Sequence, residues 1–271
     1  LTSPEWDLYE ATTSYVRVHY NKARILNRSA ARLAMSILQR RAASSTWALL
    51  RSLERRHDRL EQYIAALLVH ELTEQELRFR QERLAIADTE ETKTSDEETS
   101  VDGREEREAN EDEAMGGTTA TTLAELQAEK LQVEELLAKA QEVYGLGVEA
   151  KFDRLYDVIQ DPQFKDEKFL IFTEHRDTMD YLVQRLEGMG YTGQVARIHG
   201  GMPYPEREKQ MEDFRHHCRF MVATDAAGEG INLQFCWIMV NYDIPRNPAR
   251  IEQRFGRIHR YKQEHDLSLI H

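Results

Sequence analysis

From Lys168 onward the chain alternates short apolar runs with amphipathic stretches, and that rhythm limits the fold more than any other feature. "FLIFT" at 169–173 is an apolar run of strand length, and the following "DTMDYLVQRLEGMG" places Met179, Leu182, Val183 and Leu186 on one helical face before a glycine stop. "VARIHG" gives a second strand. "PEREKQMEDFRHH" reads as a helix with Pro205 near its first turn, "RFMVAT" and "WIMVNYD" as strands, and "NPARIEQRF" as a helix with Asn247 as N-cap and Pro248 at its first position. "DLSLIH" begins one more strand. Such alternation predicts an α/β fold, a parallel sheet with helices on both faces, whose ligands bind outside the carboxyl ends of the strands. The polar segments "FTEHR", "IHGGM", "ATDAAGEGIN" and "YDIPRNP" each follow a strand directly.

The region before that sheet reads differently. Between Trp6 and Ala87 there is neither proline nor glycine, and Leu49, Leu53, His57, Leu60, Ile64 and Leu67 recur at three and four, so 1–87 is expected to be a helical protrusion. Residues 88–120 hold almost no large apolar side chain, which predicts a solvated, mobile acidic insertion that is dispensable for folding. Helical spacing resumes at Leu123, Leu126, Val133, Leu137, Ala140 and Tyr144, a stripe interrupted by Lys130, so 121–160 is expected to be a helical segment leading into a lobe at 161–271.

Charge and composition narrow the function classes. The net charge of -12 is concentrated in residues 88–113, where 13 acids face Lys93, Arg104 and Arg107, a net of -10. Residues 1–60 carry 11 basic and 5 acidic side chains, enough to face a phosphate backbone, although ordinary helix decoration gives the same count. Cys218 and Cys236 have no CxxC partner, so reduced, buried thiols are expected rather than a disulfide framework. "HHC" at 216–218 lacks the second pair that closes a metal site, and no resident metal is expected. No apolar run reaches the roughly 18 residues of a membrane helix, and the expectation is a cytoplasmic protein without a membrane partner.

"NPARIEQRFGRIHRYKQ" carries Arg250, Arg254, Arg257 and Arg260 within eleven positions. Together with "FLIFTEHRDTMDYL", "IHGGMPYPEREKQMEDFR" and "VATDAAGEGINLQ", in this order and spacing, it resembles the C-terminal RecA-like lobe of superfamily 2 helicases and translocases, particularly the Swi/Snf-like group. His199, Gly200, Arg207 and Phe214 fit the family's pattern after the second strand, and "LTSPEWDLYEATTSYV" and "ILQRRAASSTWALLRSLERR" resemble that group's linker and helical segment. The sequence departs from the pattern at Lys262, where the group usually has glycine, which puts the local turn in doubt and not the arginines.

The resemblance implies roles residue by residue. Arg257 and Arg260 would reach the triphosphate of ATP held by a first, N-terminal motor lobe, with Gln253 one helical turn before Arg257 on the same face. Gly228, Gly230 and Asn232 would lie near the nucleotide, and Asp225 would brace one of the arginines. Thr173, Arg176, His199, Gly200 and Thr224 would line the nucleic-acid track, with double-stranded DNA as the expected partner. Fixed guanidiniums facing a transferring phosphoryl group are worth about a thousandfold or more in rate. A motor also needs a GxxxxGK[ST] loop and an acidic Mg²⁺ site; the sequence contains no such loop, and "DEAM" at 112–115 sits in the acidic tract without a strand before it. The chain is therefore expected to be part of a larger ATPase, with Mg²⁺ on the absent first lobe, and inactive alone. An RNA helicase lobe and a non-catalytic nucleic-acid-binding or partner-docking module are the rival expectations.

Overall fold

A computed structural model of the chain describes residues 1–81, 114–224, 233, 235–245, 248–258 and 268–270, and two compact units divide it at Ala150. The first unit is helical: α1 (Ser3–Ile25), α2 (Ser29–Ser44), α3 (Thr46–Leu68), a helical stretch over 74–81 (α4) and α5 (Leu123–Gly145). Local signals set its ends. Pro4 occupies the first turn of α1 and Glu5 accepts from the Thr2 amide at 2.6 Å. Ser45 caps α3 through the Ala48 amide, and at α5 the Thr122 hydroxyl and the Glu125 carboxylate complete a capping box.

One core joins these helices. Leu49, Leu53 and Leu60 of α3 are buried together with Leu126, Val133 and Ala140 of α5, and with Met35 and Leu38 of α2. The two apolar stripes expected from the sequence therefore face each other. Helix α5 packs on α3 and α1, so it belongs to the helical unit rather than leading into the lobe as expected, and the boundary falls at 150/151 instead of 160/161.

The insertion also ends earlier than its composition predicts. Residues 114–120 are buried, with Met115 and Ala120 in the helical core. Two polar groups hold them there: the Arg56 guanidinium donates to the carbonyls of Met115 and Gly117 at 2.9 and 3.1 Å, and Gln81 bonds the Gly116 carbonyl and the Thr118 amide. Residues 82–113, including Asp112 and Glu113, lie outside the described residues.

A buried polar network fastens that strap. Arg56, 1 % exposed, donates through Nε to the Tyr15 hydroxyl at 2.6 Å and through a terminal nitrogen to the Glu129 carboxylate. Tyr15 donates onward to Glu129 at 3.1 Å, and the Thr118 hydroxyl donates to its other oxygen at 2.5 Å. Burial pushes the Glu129 carboxyl up; Arg56, His19 and Thr118 outweigh it and hold it below the usual carboxylate range. Burial likewise dominates at Tyr15, whose hydroxyl is pushed far above its ordinary value.

The second unit is the α/β lobe. After α6 (Ala150–Gln160) come β1 (Phe169–Thr173), α7 (Arg176–Leu186), a π-turn over Glu187–Tyr191, β2 (Val195–Ile198), α8 (Tyr204–His216), β3 (Phe220–Thr224), β4 (Ile238–Asn241), α9 (Pro248–Ile258) and β5 (Ser268–Ile270). All strand pairs are parallel, in the order β2-β3-β1-β4-β5. Strands β1 and β3 are buried on both faces, as a helix-covered parallel sheet requires. Leu170, Phe172, Met221 and Met239 meet Phe214 of α8 on one face, while Phe169 and Phe220 meet Phe164 and Tyr191 on the other. The π-turn ends α7 through Gly190, whose φ of 97° suits glycine.

Both cysteines are free and buried, as expected, and burial raises the Cys236 thiol to about 12. Among the described residues no helix is long and apolar enough to cross a membrane.

Candidate nucleic-acid and nucleotide site

The register of the sheet lines up the residues that follow each strand. Thr173 pairs with Thr224, and Ile198 with Ala223, so His199 stands level with Thr224. On the other side Phe172 pairs with Asn241, which brings Tyr242 level with Thr173. The carboxyl edge therefore presents His199, Thr224 and Thr173 in a row across three strands, about 5 Å apart per strand.

These side chains are not equivalent. The Thr173 hydroxyl is buried and donates to Asp243 at 2.5 Å, and the same carboxylate accepts the Glu174 amide at 3.1 Å and pairs with Lys151 at 2.7 Å. Thr173 thus braces the edge, and Asp243 is internally satisfied. The Thr224 hydroxyl is the opposite case: the residue is 1 % exposed, yet the oxygen has no hydrogen-bond partner among the described residues. Buried hydroxyls are normally bonded, and ligands of such sheets bind outside the carboxyl ends of the strands, which makes Thr224 the candidate contact of this edge.

His199 adds a second atom without a hydrogen-bond partner among the described residues, Nδ1, beside the threonine row. Burial first, then the positive charges of Arg176, Arg197 and Arg207, pull its pKa below the ordinary histidine value, so the ring is neutral at neutral pH. Arg207 shapes the loop that carries it. Its side chain, 8 % exposed, donates to the Met202 carbonyl at 2.7 Å and to the Gly200 carbonyl, closing the "HGGM" turn against the first turn of α8. Gly200 is buried in that turn, and Arg176 is exposed at the start of α7.

On α9, Arg254 is 3 % exposed and bonds the Asn241 side chain at 2.6 Å and the Asp243 carbonyl at 2.9 Å, with its guanidinium over Phe172. It anchors the helix to β4. Gln253 is exposed, and Arg257 lies one turn further along the same helix. Asp225, Gly228, Gly230, Asn232, Arg260 and the cap position Asn247 lie outside the described residues, and so do the surroundings of the Arg257 side chain. Only three potential metal ligands, His57, Asp58 and Glu61 on α3, cluster among the described residues; Glu61 is paired with Lys130 and His57 with Glu134.

Asp243, Lys151 and Asn241 were not singled out from the sequence. The signal was present in "YDIPRNP" following a strand, but nothing local told that its aspartate turns inward to hold β1.

A parallel sheet with helices packed against it, and a helix beyond β4 anchored by Arg254, define the second unit as an α/β lobe. Residues 150–262 match the family described as "Helicase conserved C-terminal domain". Over 104 residues the chain is 46 % identical to the uncharacterised ATP-dependent helicase YqhH of Bacillus subtilis, covering 38 % of this chain and 18 % of that protein. Over 132 residues it is 32 % identical to the ATP-dependent RNA helicase FAL1 of Chaetomium globosum, covering 47 % of this chain and 32 % of that one. The chain thus spans about a third or less of the length of these relatives. The solved C-terminal part of the Fun30 ATPase domain aligns with a TM-score of 0.44 at 21 % identity over 52 % of each chain, too loose a likeness to assign a group.

Proposed function

We propose that this chain supplies the second motor lobe of an ATP-dependent DNA helicase or translocase of the Swi/Snf-like group. The observation that carries the reading is the Thr224 hydroxyl, without a partner among the described residues, in the row with His199 at the carboxyl edge of a segment that matches the helicase conserved C-terminal domain. In this reading Thr224 donates its hydroxyl to a backbone phosphate, while His199 and Arg176 flank the same strand of nucleic acid. Thr173 and Gly200 contribute by holding the edge and its turn in place.

ATP, when bound, supplies the phosphoryl-transfer chemistry. Support comes from α9: Arg254 fixes the helix to the sheet while Gln253, one turn before Arg257, stays exposed. By the resemblance to helicase motifs, Arg257 and Arg260 would offer positive charge to the phosphates, Asp225 would orient one of these arginines, and Gly228, Gly230 and Asn232 would serve the ribose. A first lobe with a phosphate-cradling loop and Mg²⁺ is the partner this reading requires. The relative named as an RNA helicase supports an RNA track as the second reading.

Thr224→Val tests the carrying observation. The swap removes a hydroxyl that has no partner among the described residues, so folding stability should hold or rise, while affinity for a duplex falls about tenfold, the worth of one hydrogen bond to a charged group. Fluorescence anisotropy with DNA and RNA duplexes of one sequence reads both the loss and the preference. Unchanged affinity for either duplex would remove Thr224 from the track, and preference for RNA would favour the second reading.

A further inference from the structure

Between Glu10 and Glu54 the sequence contains no acidic residue, while it carries Arg17, Lys22, Arg24, Arg28, Arg32 and Arg40. The structure gathers part of this run on one seam of the helical unit. Gln39 of α2 donates to Tyr9 and Thr13 of α1, at 3.2 Å each, which fixes the seam between the two helices. Counting from Thr13 by fours and threes along α1 leads to Arg17, Tyr20 and Arg24, and counting back from Gln39 along α2 leads to Arg32. Both rows run toward the short turn that joins the helices.

The arginines of this seam differ from the others in the unit. Arg56 and Arg41 are buried and bonded within the core, and Arg51 is paired with Glu54. Arg17 and Arg24 are exposed, and Arg32 is half-buried with an Nε that has no hydrogen-bond partner among the described residues. None of these three has an ion pair among the described residues. Tyr20 lies between them, 36 % exposed. The acids of α1, namely Glu5, Asp7 and Glu10, all fall in its first half, away from this patch.

We propose that the Arg17–Arg24–Arg32 seam is a second nucleic-acid contact, which takes the phosphate backbone of a duplex by charge and carries no sequence preference. Arg17 and Arg24 stand about 10 Å apart along α1, far enough to meet separate phosphates, and Arg32 adds a third from the neighbouring helix. A partner of repeating negative charge suits three guanidiniums that have no ion pair among the described residues better than a single anion does. The assignment stands apart from the threonine row of the lobe.

The test uses the 271-residue chain and a 30-base-pair DNA duplex, with affinity measured by anisotropy across a salt series. In R17A/R24A/R32A the slope of log affinity against log salt should flatten by about 2 to 3, close to 0.9 per lost phosphate contact, and affinity at moderate salt should fall about tenfold or more. R59A/R78A/R80A removes the same formal charge from exposed positions elsewhere in the helical unit and should leave the slope within about 0.5 of the parent. Circular dichroism checks that both triple variants keep their helix. Equal slopes for the two variants, or no flattening in either, would overturn the proposal. A lost slope in R17A/R24A/R32A with an unaffected Thr224→Val would support the seam while removing the lobe's track.

Discussion

Glu129→Ala should be among the most damaging single substitutions in the helical unit. Its carboxylate is 3 % exposed and holds Arg56, Tyr15 and Thr118 at once, and Arg56 in turn carries the 114–120 strap. Removing it leaves a guanidinium in the core without its counter-charge, a defect that costs about 3–5 kcal/mol where one partner of a buried pair is deleted. With a urea dependence of about 2 kcal/mol per molar, the helical transition should move about 2 M lower. Far-ultraviolet circular dichroism in urea reads this shift. Arg56→Met with Glu129→Leu should recover most of the loss, since well-packed apolar side chains replace buried ion pairs at little cost. The pH dependence has a fixed sign. The Glu129 carboxyl is depressed in the folded state, so its contribution is complete above the unfolded value near 4.5 and is lost as pH falls through the lower folded value. A midpoint shift below about 0.5 M for Glu129→Ala would refute the reasoning.

Gly117→Ala should destabilise the same unit by about 1–3 kcal/mol, because a methyl group there runs into the Ala30 carbonyl; an unchanged melting temperature would show that the strap yields. Replacing 114–118 with Gly/Ser should lower stability through loss of Met115 burial and the Arg56 and Gln81 bonds, in contrast to the dispensable insertion that composition implies. Thermal melts of the two replacements, 114–118 and 88–113, compare these segments directly. Arg254→Ala should destabilise the lobe by about 2–4 kcal/mol by leaving Asn241 unpaired in the core, which a denaturant titration of tryptophan fluorescence measures through Trp237.

The sheet was legible because each strand announces itself as an apolar run and each helix as a stripe, and register then carries His199, Thr224 and Thr173 to one edge without further information. The helical unit was legible only in part. A stripe says that a face is buried but not what covers it, so α5 was expected to lead into the lobe when it packs on α3. The same stripes held an overlooked signal. His57 and Lys130 were counted as the polar members of the two stripes, whereas the structure seats Arg56 and Glu129, one residue earlier in each, as an oppositely charged pair between the helices. Helical spacing of three or four leaves that one-residue ambiguity open, and only the partner helix resolves it. The strap at 114–120 escaped for another reason: glycine and threonine read as solvated until a buried arginine takes their carbonyls.

The central claim is that α9 serves ATP and the carboxyl edge serves nucleic acid. It is tested most directly in a protein that joins this lobe to one with a phosphate-cradling loop, by measuring nucleic-acid-stimulated ATP turnover and nucleic-acid affinity side by side for Arg257→Ala and Arg260→Ala. Turnover should fall by about two orders of magnitude or more in each variant, with affinity nearly unchanged. Loss of nucleic-acid affinity with a flattened salt dependence, and with turnover per bound complex intact, would place the arginines on the track and contradict the account.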